Sequence, residues 1–208
     1  MEKPDLWELE RSLAEQGAGV VCGCDEAGAG PLAGPVYAAA VILPMGVDLP
    51  GLNDSKQVSP KKRDVLFDLI RERAAAWAVA WVDAEEIDRT DILSARMKAM
   101  QLAIDGLNIR PDFALIDGNR DKGKSAAITT PHQKVVKGDS RSASIAAASI
   151  LAKVSRDRYM ERAAEEYPQY EFARHKGYGT KLHYAMLDQY GPCPEHRLTF
   201  LKKWEAGR

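Results

Sequence analysis

The chain has 208 residues, 45% of them hydrophobic, which suffices to bury the core of one domain. A formal net charge of −1 argues against a protein that coats nucleic acid non-specifically, although it permits a local basic groove. No apolar run approaches the roughly 20 residues of a membrane span, and the first residues lack the apolar segment of a signal peptide. We therefore expect a cytoplasmic protein with one domain over residues 1–208, of which about 160–208 form a helical subregion.

Hydrophobic periodicity predicts strands separated by amphipathic helices along the chain. Strands are predicted over 19–26, 35–43, 74–82, 113–117 and 134–139. Helices are predicted over 5–16, from Ser59 and Pro60 onwards, after a cap at Asp91, and after a cap at Ser140 or Ser142. The strand over 35–43 is apolar on both faces and is therefore expected near the centre of the sheet. With further helices and loops after Pro168, this order predicts an α/β sheet of mixed direction.

Two smaller features of these elements also carry predictions. The helix that begins at Ser59 and Pro60 is expected to bury an apolar stripe made of Val65, Leu66, Leu69 and Ile70. Cys22 and Cys24 lie two apart on a strand and so face the same side of the sheet. We interpret them as small buried hydrophobic residues rather than zinc ligands, because no second Cys or His pair has matching spacing.

Acidic residues stand at the ends of three predicted strands. Asp25 and Glu26 end the first strand and open into the turn Gly28–Ala29–Gly30, while Asp117 and Asp139 end the last two. Strand ends are where sites collect in α/β sheets, so four carboxylates converge if these strands are neighbours. Such a cluster repels itself unless cations neutralise it, and its hard oxygen ligands select Mg²⁺ or Mn²⁺. Two such ions roughly 4 Å apart can hold the attacking and leaving oxygens of a phosphoryl displacement.

Each of these acids, taken alone, is also typical of a turn or a helix cap. Asp139, for example, stands just before a predicted helix, where a negative charge is favourable. The four together, at strand ends and beside glycines, favour a metal site next to a phosphate. Basic residues that could contact phosphate lie near them in the sequence: Lys56, Arg120, Lys122, Lys124, Lys137, Arg174, His175 and Lys176.

Tyr178 is the aromatic residue with the most unusual surroundings, because a glycine lies on either side of it. Bare backbone on both sides favours an exposed ring that is available to stack on a sugar or a base. The alternative is an aromatic side chain that anchors the core.

The motifs resemble those of bacterial ribonuclease HII, the type 2 ribonuclease H family. The matching segments, in family order between about residues 18 and 200, are 24–36, 51–56, 115–119, 136–140, 146–154 and 175–180. The resemblance implies a ribonuclease H-like α/β fold, with a mixed five-stranded sheet flanked by helices and a helical C-terminal extension. It also implies that Asp25, Glu26, Asp117 and Asp139 bind two Mg²⁺ or Mn²⁺ ions and carry catalysis.

The activity that the resemblance implies is hydrolysis of RNA in RNA–DNA hybrids. The family also nicks duplex DNA on the 5′ side of a single embedded ribonucleotide and leaves 3′-hydroxyl and 5′-phosphate ends. Backbone groups of Gly28, Ala29 and Gly30 are expected to read the ribose 2′-hydroxyl, and Tyr178 to pack against the deoxyribose on its 3′ side. Lys56 completes the predicted substrate contacts. The expected partners are these nucleic acids and no membrane, and we expect a monomer.

One departure from the family pattern bears on specificity. The turn normally reads Gly-Arg-Gly, but Ala29 stands at its centre here, so a cationic contact to phosphate is lost. Type III enzymes also lack this arginine, carry threonine there and prefer longer RNA stretches. We therefore expect weaker binding and a reduced preference for single ribonucleotides, with the chemistry retained.

Three other functions remain as alternatives. A nuclease of the Holliday-junction resolvase type uses the same carboxylates on DNA and needs no 2′-hydroxyl. An inactive hybrid-binding protein would explain Ala29, but it has no reason to keep four mutually repelling acids. A phosphatase acting on another substrate is disfavoured, because the predicted groove extends beyond the acids to Lys56 and Tyr178.

Overall fold

The computed structural model describes residues 5–52, 55 and 58–207. Lys56 lies outside the described residues. The strands are β1 (Val21–Ala27), β2 (Val36–Ile42), β3 (Ala76–Val82), β4 (Phe113–Asp117) and β5 (His132–Val135). The helices are α1 (Glu8–Glu15), α2 (Pro60–Arg73), α3 (Ala84–Arg89), α4 (Ile92–Asp105), α5 (Ala143–Glu166), α6 (Phe172–His175), α7 (Lys181–Tyr190) and α8 (Leu198–Glu205).

The five strands form one mixed sheet in the order β3-β2-β1-β4-β5. β2 pairs antiparallel with both β1 and β3, whereas β4 pairs parallel with both β1 and β5. Every residue of β2 is buried, as its two apolar faces predict. The mixed five-stranded sheet, the flanking helices and the helical C-terminal part are therefore confirmed.

Helices α4 and α5 cover opposite faces of the sheet. Cys22 and Cys24 are fully buried in the cluster that contains Met97 and Met100 of α4. On the other face, α5 begins directly over Gly23, where a Cβ atom would lie 2.2 Å from the backbone of Ser144 and Ile145. Because side chains alternate along a strand, Asp25 points toward the α5 side and Glu26 toward the α4 side.

Several predicted boundaries differ from the structure. β5 ends at Val135, so Asp139 does not end a strand but lies in a 3₁₀ turn over Gly138–Ser140. The cause is local, because Lys137 adopts a left-handed conformation with φ of 54°, which breaks the extended chain. The long helix is capped by Ser142, whose side chain accepts from the Ile145 N–H.

Helix α2 also differs in two details. Val65 is 57% exposed, because the buried face of the helix consists of Leu66, Phe67 and Ile70. Ser59 occupies the cap position, but its side chain makes no capping hydrogen bond. None of the helices in the described part of the chain combines the length and apolar character needed to cross a bilayer.

Candidate active site

Seven of the predicted site residues line one cavity of about 230 Å³ at the C-terminal ends of β1 and β4. They are Asp25, Glu26, Gly28, Ala29, Gly30, Asp117 and Tyr178. Ser55, Ser149, Lys153 and Ala27 complete the lining. The sequence therefore predicted residues that the fold brings together from β1, β4 and the segment before α7.

The acids meet because β1 and β4 are adjacent and parallel. Cys24 pairs with Ile116, so Asp25 and Asp117 follow at the same end of the two strands. Asp139 is not part of the cavity lining, but its turn is tied to the site, because the Gly138 N–H donates to Oδ1 of Asp117 at 2.7 Å. Asp25 and Asp139 are both buried, with 6% and 7% of their surface exposed.

These acids are close enough to repel one another. Burial, followed by the charges of Glu26 and Asp117, raises the pKa of Asp25 well above its ordinary value, and Asp139 adds to the effect. Burial also raises the pKa of Glu26, although the nearby Arg96 acts in the opposite direction. Burial and mutual repulsion therefore disfavour the ionised forms of Asp25 and Glu26.

Arg96 of α4 supplies one cation to this cluster. Its Nη2 lies 2.6 Å from Oε1 of Glu26, and both side chains are mostly buried. The other carboxylate oxygen of Glu26, Oε2, is buried and has no hydrogen-bond partner among the described residues, and the same is true of Nε of Arg96. An unpartnered buried carboxylate oxygen is costly, so this position favours a further cation.

The donor atoms are not gathered around one point as a bound ion would require. Within residues 5–52, 55 and 58–207, no three His, Cys, Asp or Glu side chains form a ready coordination group. Instead Oδ1 of Asp25 accepts from the Glu26 N–H at 2.7 Å, while Glu26 faces Arg96. The residues fit divalent cations by their oxygen donors, their negative charge and the unpartnered Oε2 of Glu26.

The glycine turn is held from behind by two buried arginines. Arg197 donates to the carbonyls of Gly28 and Gly34 at 2.7 Å and to that of Ala29 at 3.1 Å. Arg156 packs so closely that a Cβ atom on Gly28, whose φ is 95°, would lie 2.0 Å from its Nε. Glycine is therefore required at position 28 for both conformation and space.

The predicted substrate contacts are divided between the cavity and other parts of the surface. Tyr178 is 45% exposed and lines the cavity, with its ring 5.9 Å from Cζ of Arg156. Lys153 also lines it and pairs with Asp157 at 2.6 Å, and burial lowers the pKa of the lysine. Arg174, His175 and Lys176 do not line the cavity. Arg174 pairs with Glu171, Lys176 pairs with Glu161, and the His175 ring is buried.

Sequence reasoning missed four basic residues around this cavity: Arg96, Lys153, Arg156 and Arg197. Lys153 lies in the matching segment 146–154, which was a usable signal. The three arginines carry no such signal, because a buried arginine and an exposed one look alike in a sequence.

Several known proteins are similar to this chain over most of its length. Residues 22–204 match the family model described as Ribonuclease HII. Ribonuclease HII 1 of Methylibium petroleiphilum is 58% identical over 181 residues, which cover 87% of this chain and 89% of the relative. Ribonuclease HII of Geotalea uraniireducens is 52% identical over 199 residues, covering 96% and 90% of the two chains.

A solved structure shows the same fold. The crystal structure of the ribonuclease H2 from Pyrococcus horikoshii OT3 matches with a TM-score of 0.70 and 26% sequence identity. The match covers 87% of this chain and 93% of the archaeal one.

Proposed function

Since this chain belongs to the ribonuclease HII family, and so is a metal-dependent endonuclease that hydrolyses RNA in RNA–DNA hybrids, we propose that it also nicks duplex DNA at embedded ribonucleotides. The cut lies on the 5′ side of the ribonucleotide and leaves 3′-hydroxyl and 5′-phosphate ends. Two divalent ions, Mg²⁺ or Mn²⁺, take part. This activity is the first step of removing ribonucleotides from DNA.

One observation carries this proposal. The acids Asp25, Glu26 and Asp117 share their cavity with the turn at Gly28–Gly30 and with Tyr178. A hydrolytic site needs only the acids and their metal. The added glycine turn and aromatic ring supply contacts for a sugar and its neighbour, which supports recognition of one ribonucleotide within a duplex.

In this proposal Asp25, Glu26, Asp117 and Asp139 hold the ions, and all four act as catalytic residues. When bound, divalent ions lower the pKa of an attacking water and stabilise the charge that develops on the departing 3′-oxygen. Oδ1 of Asp117 accepts from the Gly138 N–H, which ties the turn that carries Asp139 to Asp117.

The glycine turn is proposed to read the 2′-hydroxyl. The carbonyls of Gly28 and Ala29 accept from Arg197, which supports the N–H groups of this turn as its donors to a ligand. The methyl of Ala29 adds no charge, which supports a reduced preference for single ribonucleotides. Tyr178 packs against the deoxyribose on the 3′ side, and Lys153 is placed to contact a phosphate. The predicted role of Lys56 stays a prediction.

The test uses three end-labelled duplexes: an RNA–DNA hybrid, a DNA duplex with one ribonucleotide, and the same duplex with a 2′-O-methyl group there. Each is incubated with Mg²⁺ or with Mn²⁺. We expect cleavage of the first two, 5′ to the lone ribonucleotide, and none of the third. Extension of the nicked strand by a polymerase checks for the 3′-hydroxyl end.

Other outcomes identify the alternatives. Cleavage of an all-DNA duplex or junction at a similar rate would favour a resolvase-type nuclease. Cleavage of the hybrid alone would mean that the altered turn has lost single-ribonucleotide recognition. We further propose that the enzyme is a monomer of one domain and that it acts in the cytoplasm on chromosomal DNA. Size-exclusion chromatography with light scattering tests the oligomeric state.

A further inference from the structure

Three buried histidines form a connected cluster behind Tyr178. His183 is fully buried, and His196 and His175 are 3% and 7% exposed. The His175 and His183 rings stack with centroids 4.3 Å apart, and Nε2 of His183 lies 3.0 Å from Nε2 of His196. Nothing in the proposed chemistry uses these side chains, although they lie directly beneath a substrate-contacting residue.

The hydrogen bonds of the cluster determine which ring nitrogen carries each proton. Nδ1 of His196 lies 2.9 Å from the Cys193 N–H and therefore accepts, so Nε2 of His196 donates to Nε2 of His183. His183 then carries its proton on Nδ1, which donates to the Tyr178 carbonyl at 3.0 Å. The longer contact of His196 Nδ1 to the Cys193 carbonyl, 3.3 Å, requires the opposite pattern and a charged His183.

Burial favours the neutral pattern. It lowers the pKa of His183 and of His196 to about 4, so both rings are uncharged at neutral pH. The hydrogen bonds of His175 also define a neutral tautomer, because its Nδ1 accepts from the Gly177 N–H at 3.2 Å and its Nε2 donates to the Tyr170 carbonyl at 2.8 Å. Every ring nitrogen in the cluster thus has a partner and a defined role.

The backbone at Tyr178 needs such support, because glycines lie on both sides of it. The Tyr178 carbonyl accepts from His183 and from the Thr180 N–H at 2.8 Å. Gly177 has φ of 83° and lies so close to Ala33 that a Cβ atom would be 2.4 Å from its carbonyl oxygen. His183 and Ala33 therefore hold the main chain from which the Tyr178 side chain extends.

The same short segment also anchors the glycine turn. His196 pairs with Ala33 in an isolated β-bridge, and the next residue, Arg197, binds the carbonyls of Gly28 and Ala29. Residues 196 and 197 thus connect the two elements that line opposite parts of the substrate cavity.

We propose that His183 and His196 are positioning residues. Their uncharged rings form a hydrogen-bonded relay that ends on the Tyr178 carbonyl. This relay keeps Tyr178 at a fixed distance from the glycine turn, which Arg197 holds in place. The relay determines how well the enzyme binds the deoxyribose that follows the cleaved position. This inference rests on the substrate role proposed for Tyr178.

The first test examines the relay itself, without activity. Long-range ¹H–¹⁵N correlation spectra of the ¹⁵N-labelled protein at pH 7 distinguish the two neutral histidine tautomers. We expect His183 protonated on Nδ1, and His175 and His196 protonated on Nε2. The opposite tautomer at His183 or His196, or a charged ring at either, would overturn the proposal.

The second test compares two substitutions of His183. His183→Asn keeps a side-chain N–H near the position of Nδ1, whereas His183→Gln places its amide near Nε2 and removes the donor to the Tyr178 carbonyl. We expect His183→Gln to raise KM for the single-ribonucleotide duplex about tenfold with little change in kcat, as for loss of one stacking contact. His183→Asn should stay within about threefold of the wild type, since the donor remains. Equal effects of the two variants on KM would overturn the proposal.

A double substitution separates the relay from the proposed role of Tyr178. Once Tyr178→Ala has raised KM, adding His183→Gln should cause no further rise, because the histidine acts through the tyrosine. A full additional rise would mean that His183 acts elsewhere and would overturn the relay. If Tyr178→Ala leaves KM unchanged, the substrate role of the tyrosine fails, and the spectra still report the tautomers independently.

Discussion

The guanidinium of Arg96 lies 2.6 Å from the carboxylate of Glu26, so a cation from α4 already occupies one of the four proposed metal ligands. The contact follows from the alternation of β1, which turns Glu26 toward α4 while Asp25 faces α5. Because the described part of the chain offers no partner to the other oxygen of Glu26, the pair with Arg96 satisfies only one of the two carboxylate oxygens. A divalent ion must therefore share Glu26 with Arg96 or displace it.

Replacing Arg96 is expected to strengthen metal binding. Arg96→Gln removes a competing positive charge and frees Oε1 of Glu26, so the dissociation constant for Mn²⁺ should fall roughly tenfold, as for loss of one charge-assisted hydrogen bond. Isothermal titration calorimetry without substrate measures this. Arg96→Lys keeps the charge and should change less, and Arg89→Gln alters an arginine whose side chain is 72% exposed. Unchanged or weaker binding in Arg96→Gln would show that Arg96 orients Glu26 instead.

Restoring the family arginine should restore specificity. Ala29 has no left-handed backbone, and its carbonyl is held by Arg197, so Ala29→Arg adds a cation without disturbing the turn. A charge-assisted phosphate contact contributes roughly 1.5–3 kcal/mol. We expect kcat/KM on the single-ribonucleotide duplex, relative to the hybrid, to rise about ten- to a hundredfold. Ala29→Gln provides a long uncharged control, and an equal ratio before and after Ala29→Arg would contradict the assignment.

Removing one carboxylate charge should separate catalysis from binding. Asp139→Asn keeps the shape of the side chain but lowers the negative charge that holds the ions, so cleavage should fall below detection. Hybrid binding, measured by fluorescence anisotropy, should remain nearly intact. Asp68→Asn, at an exposed position on α2, is the matched control. Near-normal turnover by Asp139→Asn would remove this residue from the proposed ligand set.

The histidine cluster should make the fold sensitive to acid. The unfolded chain takes up protons on His183 and His196 near the ordinary pKa of 6.5, whereas the folded protein resists until the pKa of about 4. The free energy of unfolding therefore falls as the pH falls from about 6.5 to about 4. Asp25 acts in the opposite sense, because its raised pKa lets the folded state bind a proton more readily than the unfolded chain.

Urea denaturation between pH 4.5 and 7, in EDTA, measures this dependence. Subtracting the curve of His183→Gln from that of the wild type removes the contribution of Asp25, which both proteins share. The wild type should show the steeper loss of stability. Curves of equal slope would mean that His183 becomes charged in the folded state without cost.

Local sequence patterns predicted much of the secondary structure and the main residues of the candidate site. The alternation and apolar runs of the strands predicted five strands and their approximate limits, because burial of a pleated surface dictates residue types two apart. The capping side chain at Asp91 was predicted as well, and the cap of α5 was narrowed to Ser140 or Ser142, since a cap satisfies backbone groups within three residues of itself. The acids and the glycine turn were predicted because their residue types are unusual where they stand.

Two predictions were wrong because they depended on backbone conformations or on tertiary neighbours that a short stretch of sequence does not reveal. The left-handed Lys137 ends β5 early and moves Asp139 into a 3₁₀ turn. Val65 faces solvent because α2 docks through Leu66, Phe67 and Ile70 instead.

The sequence by itself thus predicted the residues of the proposed chemistry: carboxylates, a glycine turn and a tyrosine, in an order that predicts the family. Only the tertiary structure decided that Arg96 shares Glu26, that Arg197 holds the turn, and that a histidine relay supports Tyr178. The physical reason is that these roles come from burial and from partners far apart in the chain. Arg197 and Gly28 are 169 positions apart, so only folding brings them together, and because both are buried, leaving them without this hydrogen bond would be costly.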